Sequence, residues 1–227
     1  MSNMYDWITE KNVNPLAGRC LHECEYCYVE PMKIRPASNK KYSGPIRLDE
    51  KVLASTIKGG TRFLCSCNDL FAAGVPENII LDIIDWAARQ DTTWAIQTKN
   101  PGHELFRHLI KNKPANFVLG ATIETNRDIS ISKAPLPKDR VIAGLDYVTI
   151  EPIMDFDMIE LVAMVKAINP RFVNVGADSG GNDLPEPSAE KIEALIAALE
   201  AITEVRRKPN LVRITGQSQG VPQKPGV

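Results

Sequence analysis

Between residues 61 and 202 the chain alternates short apolar runs with longer stretches whose apolar residues recur every three or four positions. Runs suited to buried strands are TRFLCSC (61–67), TWAIQT (93–98), FVLGATI (117–123), DYVTIE (146–151), RFVNVGA (171–177) and, further on, LVRIT (211–215). Ile79, Ile80, Ile83, Ile84 and Ala87 fall on one helical stripe, as do Leu161, Val162, Val165 and Ile168 behind an Asp157 cap with Glu160 three residues on. Ile192, Leu195, Ile196, Leu199 and Ile202 form a third stripe behind a Ser188 cap. Shorter helices are expected over 103–110 and 139–144. Strand and helix in turn, with no hairpin signal between them, predict an α/β fold of parallel β/α units with right-handed crossovers. Six such strands, plus a short one near 14–17, predict a TIM-like parallel β/α barrel, partial or closed. An open doubly wound sheet is the alternative, because strand order is not local information. Residues 35–47 and a proline-rich C-terminal tail, 216–227, read as loop.

With 227 residues, one domain over 1–227 fits better than two. Hydrophobic residues at 44% supply a core and charged residues at 24% suit a soluble fold. The net charge of -1 carries no global signature of nucleic-acid binding. Lys33, Arg35, Lys40, Lys41 and Arg47 form a local basic stretch with no acidic residue among them, and Arg206, Arg207 and Lys208 form another. Such runs are usually solvated surface; a nucleotide or nucleic-acid partner is the other reading. No apolar run follows MSNMYDWITEKN and no window has the length of a membrane span, so a cytoplasmic chain with no membrane partner is expected. Five cysteines, an odd and clustered set, do not form a disulfide framework.

The predicted strands end in SCNDLF (66–71), TKNP (98–101), TIET (122–125), IEP (150–152), GADSGG (176–181) and TGQ (215–217). Parallel β/α folds bind ligands at that edge. Helix capping accounts for Asp69 or Asn100, and less well for Glu124 and Glu151, where a long carboxylate terminates an apolar run. Pairing of those glutamates with Arg127 or Arg140 to fix loops is the plainer account of them. Lys99 reads either as a solvated helix-start residue or as a cation in the site. Cys65 and Cys67 alternate onto one strand face and suffice as apolar fillers.

Cys20, Cys24 and Cys27 are spaced C-x3-C-x2-C in CLHECEYC, a loop spanning 18–31. Thiolates are soft ligands for zinc and iron–sulfur clusters. A structural zinc site wants four ligands, and His22 lies poorly between two of the cysteines to be the fourth. A zinc site drawing also on Cys65 and Cys67 stays open. Three thiolates suit a cubane [4Fe–4S] cluster with one iron left free for an outside ligand, whereas four-cysteine ligation is the ordinary electron-transfer arrangement.

CLHECEYC, with Tyr26 before its third cysteine, resembles the CxxxCxxC loop of the radical S-adenosylmethionine superfamily. NPLAGRC, CSCNDLF, TKNP, GATIET, TIEP and GADSG, in order over 14–181, are similar to motifs of a phage-encoded branch of that superfamily whose function is unknown. The departures are CSCNDLF in place of a GGE-like turn, and Asp178 where that branch has a glutamate. The resemblance implies a radical SAM type barrel and a [4Fe–4S] cluster on Cys20, Cys24 and Cys27 as metal ligands. It implies S-adenosylmethionine at the open iron, reductively cleaved to a 5′-deoxyadenosyl radical, with a one-electron donor of flavodoxin or ferredoxin type as partner. Tyr26, Ser66, Asn68, Asp69, Lys99, Glu124 and Asp178 would bind that cofactor, with Lys99 on its carboxylate and Glu124 on its ribose. Cys67 and Glu151 would act on a substrate that the sequence leaves unidentified, a nucleobase or nucleotide being the hinted class. The alternative is an iron–sulfur or zinc-bearing binding protein without turnover.

Overall fold

The computed structural model describes residues 5–216. In chain order the elements are β1 (Leu16–Ala17), α1 (Val29–Met32), α2 (Pro36–Tyr42), β2 (Arg47–Leu48), α3 (Glu50–Leu53), β3 (Lys58–Leu64), α4 (Glu77–Ala88), β4 (Asp91–Thr98), α5 (Glu104–Lys111) and β5 (Phe117–Thr122). They continue with β6 (Tyr147–Ile150), α6 (Met158–Ile168), β7 (Phe172–Val175), α7 (Ala189–Glu200), β8 (Glu204–Arg207) and α8 (Val212–Thr215). Strands β3 to β8 form one parallel sheet in sequential order, curled into a half-barrel and flanked by helices. β3 and β8 are its two edges, so the barrel stays open. The short β1 pairs antiparallel with β2, apart from the main sheet.

The convex layer follows from the helical stripes. Ile80, Ile83 and Ala87 of α4, Leu161, Val165 and Ile168 of α6, and Ile192, Leu195 and Leu199 of α7 join Ile96, Leu119, Ile150 and Val175 of the strands in one buried cluster. Ser188 caps α7 by accepting from the Lys191 N–H at 3.3 Å, as its position predicted. Asp157 stands at the N-terminus of α6 without a capping bond; its carboxylate is taken by Arg127.

The concave side is built in three levels, because alternate residues of each strand face it. At the bottom Trp7, from the N-terminal segment, packs edge-on to Tyr147 and Phe172, with ring centroids 5.2 and 5.4 Å away. That segment is held along β3 by the Thr9 and Glu10 N–H groups on Thr61 O and by Val13 N–H on Phe63 O. Above it Gln97, Thr122, Thr149 and Asn174 are hydrogen-bonded across four consecutive strands, at 2.7, 3.1 and 3.4 Å. The charged strand ends form the top.

Several sequence expectations are corrected here. LVRIT is helix rather than strand; Pro209 opens a 3-10 turn that leads into α8. The sixth strand is β8, whose EVRR holds one apolar residue and so shows no strand pattern. Residues 36–42 of the supposed loop are helical, introduced by a proline at the first position. The expected helix over 139–144 shrinks to a 3-10 turn at Pro137–Arg140. Most of the proline-rich tail, 217–227, lies outside the described residues. Among the described residues no helix is long and apolar enough to cross a membrane.

Candidate functional site

A cavity of about 490 Å3 opens at the C-terminal edge of the half-barrel. Most of the residues singled out by sequence reach its wall: Cys20, Cys24, Tyr26, Cys27, Ser66, Cys67, Asn68, Asp69, Lys99, Glu151 and Asp178. Glu124 does not line it and stands behind Lys99 and Tyr26. The loop carrying the three cysteines is led in by Gly18, whose φ of +99° and close approach to Pro45 O, 2.3 Å from where a Cβ would sit, admit no side chain.

Asp69 is the centre of one wall. Its carboxylate lies 2.9 Å from His22 Nε2 and accepts the Thr98 hydroxyl at 2.8 Å, the Lys99 N–H at 2.7 Å and the Phe71 N–H at 3.0 Å. Burial works to raise its pKa, but His22 and these donors outweigh it and hold the group down at about 2. Asp69 therefore ties the cysteine loop to the end of β4.

Glu124 is 2% exposed and accepts from Arg140 at 2.5 Å and from the Tyr26 hydroxyl. Burial raises its pKa, yet Lys99, Arg140 and Tyr26 together bring it below the ordinary range. Burial acts downward on Lys99 and is overcome by Glu124, so its ammonium stays charged. That ammonium lies 3.5 Å from Glu124 Oε1, over the Tyr26 ring at 5.3 Å, and makes no hydrogen bond among the described residues. Across the cavity Glu151 accepts from Tyr5 at 2.8 Å, Lys208 at 2.5 Å and Asn210 at 3.2 Å. Asp178 takes the N–H groups of Gly180 at 3.0 Å and Asn182 at 2.6 Å, which hold its pKa down against burial. Glu124, Glu151 and Asp178 are filled by protein donors; Lys99 is not.

The thiols do not make a metal centre. Among the described residues no three His, Cys, Asp or Glu side chains are grouped so that they would hold a metal ion. Burial pushes the Cys20 thiol up to about 11 and raises Cys24 as well. The expected [4Fe–4S] cluster on Cys20, Cys24 and Cys27 is thus corrected, and so is the zinc-bearing alternative. With the cluster goes the anchoring point for S-adenosylmethionine and its reductive cleavage, so the radical enzyme reading is withdrawn. Cys67 sits in a small apolar cluster with Val29 and Tyr42, against which Cys27 packs. Tyr28 donates to the Ser66 carbonyl at 2.5 Å above it.

The basic stretches are largely consumed by the fold. Lys33 pairs with Glu30 and Lys41 with Asp49, both at 2.7 Å, and Arg47 donates to the carbonyls of Lys40, Lys41, Ser43 and Pro45. Arg206, Arg207 and Lys208 pair with Glu204, Glu193 and Glu151. Most of these partners are near in sequence; Glu193 and Glu151 are the distant ones.

Comparison with known proteins bears on the same point. Residues 4–193 match the family described as protein of unknown function (DUF5131). The chain belongs to the DUF5131 family. That membership replaces the radical S-adenosylmethionine superfamily as its assignment, and the family description states no activity. No curated protein and no solved structure matches the chain. Among the wall residues of this DUF5131 chain, sequence reasoning misses Tyr5 and Gln97 and reads Lys208 only as part of a basic stretch. Gln97 had a signal, since it stands two residues before Lys99 and so shares its strand face. Tyr5 and Lys208 come from segments whose place in the fold no local pattern announces.

Proposed function

We propose that this protein binds a small organic molecule in the mouth of its half-barrel and pairs an anionic group of that molecule with Lys99. The observation that carries the reading is the Lys99 ammonium: charged, 17% exposed at the cavity wall, and without a hydrogen-bond acceptor among the described residues. Its neighbour Glu124 is already shared with Arg140 and Tyr26, so Lys99 has donors left for an outside oxyanion. The volume lies within the range of about 300–1,000 Å3 typical of small-molecule sites, and the place is the ligand-binding edge of parallel β/α folds. Tyr5, Tyr28 and Phe63 offer apolar wall to the body of the ligand.

The test is thermal unfolding in increasing inorganic phosphate or citrate, at ionic strength held constant with chloride. A ligand that binds the folded state raises the midpoint in a saturable way. The wild-type chain should show that rise, and Lys99→Met should weaken the apparent affinity by about tenfold or more, the loss of a charge-assisted hydrogen bond. An equal rise in the variant, or none in the wild type, would overturn the assignment.

A further inference from the structure

All five cysteines border one cavity, and Cys24 and Cys27 differ from the rest in their backbone. They are the first and last residues of the turn Cys24-Glu25-Tyr26-Cys27, closed by the Cys27 N–H on Cys24 O at 3.1 Å. A turn closed in this way brings its outer Cα atoms within about 7 Å. Disulfides span Cα separations of about 4.4–6.8 Å. Both residues are partly buried, as is Cys20. In a parallel β/α chain, a C-x-x-C turn of this kind belongs to dithiol chemistry. The turn is also anchored from its middle, since the Tyr26 hydroxyl donates to Glu124, which Arg140 holds.

We propose that Cys24 and Cys27 are a dithiol pair that exchanges with low-molecular-weight disulfides entering the cavity. Cys27 makes the first attack and Cys24 resolves it. The Cys27 thiolate attacks one sulfur of the incoming disulfide and forms a mixed disulfide. The sulfur–sulfur bond of the small molecule breaks, and its other half departs as a thiolate that takes up a proton. Cys24 then loses its proton and attacks the Cys27 sulfur, expelling the second thiolate. Two protein thiols are oxidised to one disulfide, and one small disulfide is reduced to two thiols. Cys20 is a bystander, its thiol held protonated by burial and pushed up to about 11. Cys65 and Cys67 are buried.

The inference rests on the turn and its thiols and is independent of the anion held by Lys99. Its test is treatment of the full chain with excess glutathione disulfide, followed by a count of free thiols and peptide mapping by mass spectrometry. Free thiols should fall from five to three. The map should show a Cys24–Cys27 bridge, two hydrogens lighter, with Cys20 unmodified. Cys24→Ser, which removes the resolving thiol, should stop at a glutathione adduct on Cys27. A stable adduct on the wild-type chain, a Cys20–Cys24 or Cys27–Cys67 bridge, or no reaction would overturn the proposal. The wild-type map alone decides it if the variant fails to fold.

Discussion

Asp69 concentrates the electrostatics of the site in one carboxylate: four donors from the cysteine loop, β4 and its own turn converge on it. Its pKa of about 2 lies below the unfolded value of about 4, so the sign of the linkage follows. The unfolded chain takes up the proton first as pH falls. The stabilisation is therefore complete above about pH 4 and is lost as pH drops toward 2, and it amounts to on the order of 2 kcal/mol. Urea unfolding of the wild type and Asp69→Asn across this window should show the gap between them closing as the medium is acidified. A gap independent of pH would mean that the carboxylate contributes geometry and no charge. Glu124 is the harder case, since Arg140 and Lys99 would both lose their counter-charge. Glu124→Gln should cost roughly 3–5 kcal/mol, the figure for breaking a buried ion pair from one side, read from denaturant midpoints. Glu124 is legible in the sequence, because a long carboxylate ending an apolar strand is unusual, and pairing with Arg140 is the plainer account that the sequence offers for it. The role of Asp69 is not, because capping alone explains an aspartate at that place and His22 reaches it only through the fold.

At the scale of elements, the convex face and the strand ends at the mouth are readable in the sequence, and the N-terminal segment that fills the bottom of the concave face is not. Helical stripes of isoleucine and leucine announced α4, α6 and α7, since a helix buried on one side must repeat its apolar residues every three or four positions. β8 escaped because it is an edge strand. Glu204, Arg206 and Arg207 leave its pattern polar, as suits a strand with one unpaired side. LVRIT reads as strand because a five-residue run with three apolar members fits either period, and only Pro209 upstream favours a helical start. Gly120 shows what a single strand position contributes. A Cβ there would lie 2.4 Å from Tyr147 Cζ, so the bare backbone of β5 is what lets the β6 tyrosine lie across it and meet Trp7 and Phe172. Gly120→Ala should destabilise the protein by about 1–3 kcal/mol through overpacking, measured by chemical denaturation. Tyr147→Phe combined with it would give no relief, because the clash is with the ring and not with the hydroxyl. Recovery in that double variant would point to the hydroxyl instead.

A sheet that stops at six strands and curls without closing has an inner surface to cover, and the molecule covers it with its own N-terminal segment. Tyr5, Ile8 and Phe63 pack with Ala95, and Trp7 reaches beyond them to the rings of β6 and β7. The open edge is closed over the same cluster by Arg206, whose guanidinium carbon stands 3.7 Å from the centre of the Phe172 ring. The segment also reaches upward, because Tyr5 donates to Glu151 at the cavity wall. One short stretch thus fills the bottom of the half-barrel and fixes a side chain at its mouth. Trp7→Ala should remove about 3 kcal/mol of stability, the low end for truncating a tryptophan, because this one is only partly buried. It should also increase binding of a dye that reports exposed apolar surface, and Trp7→Phe should restore most of the stability. The anion response of Lys99 should survive in Trp7→Ala, since the polar level of Gln97, Thr122, Thr149 and Asn174 lies between plug and mouth. A loss of stability near zero, with no gain in dye binding, would show that the sheet holds its curl without the plug. Loss of the anion response together with stability would instead make the three levels one cooperative unit, with the mouth shaped from below.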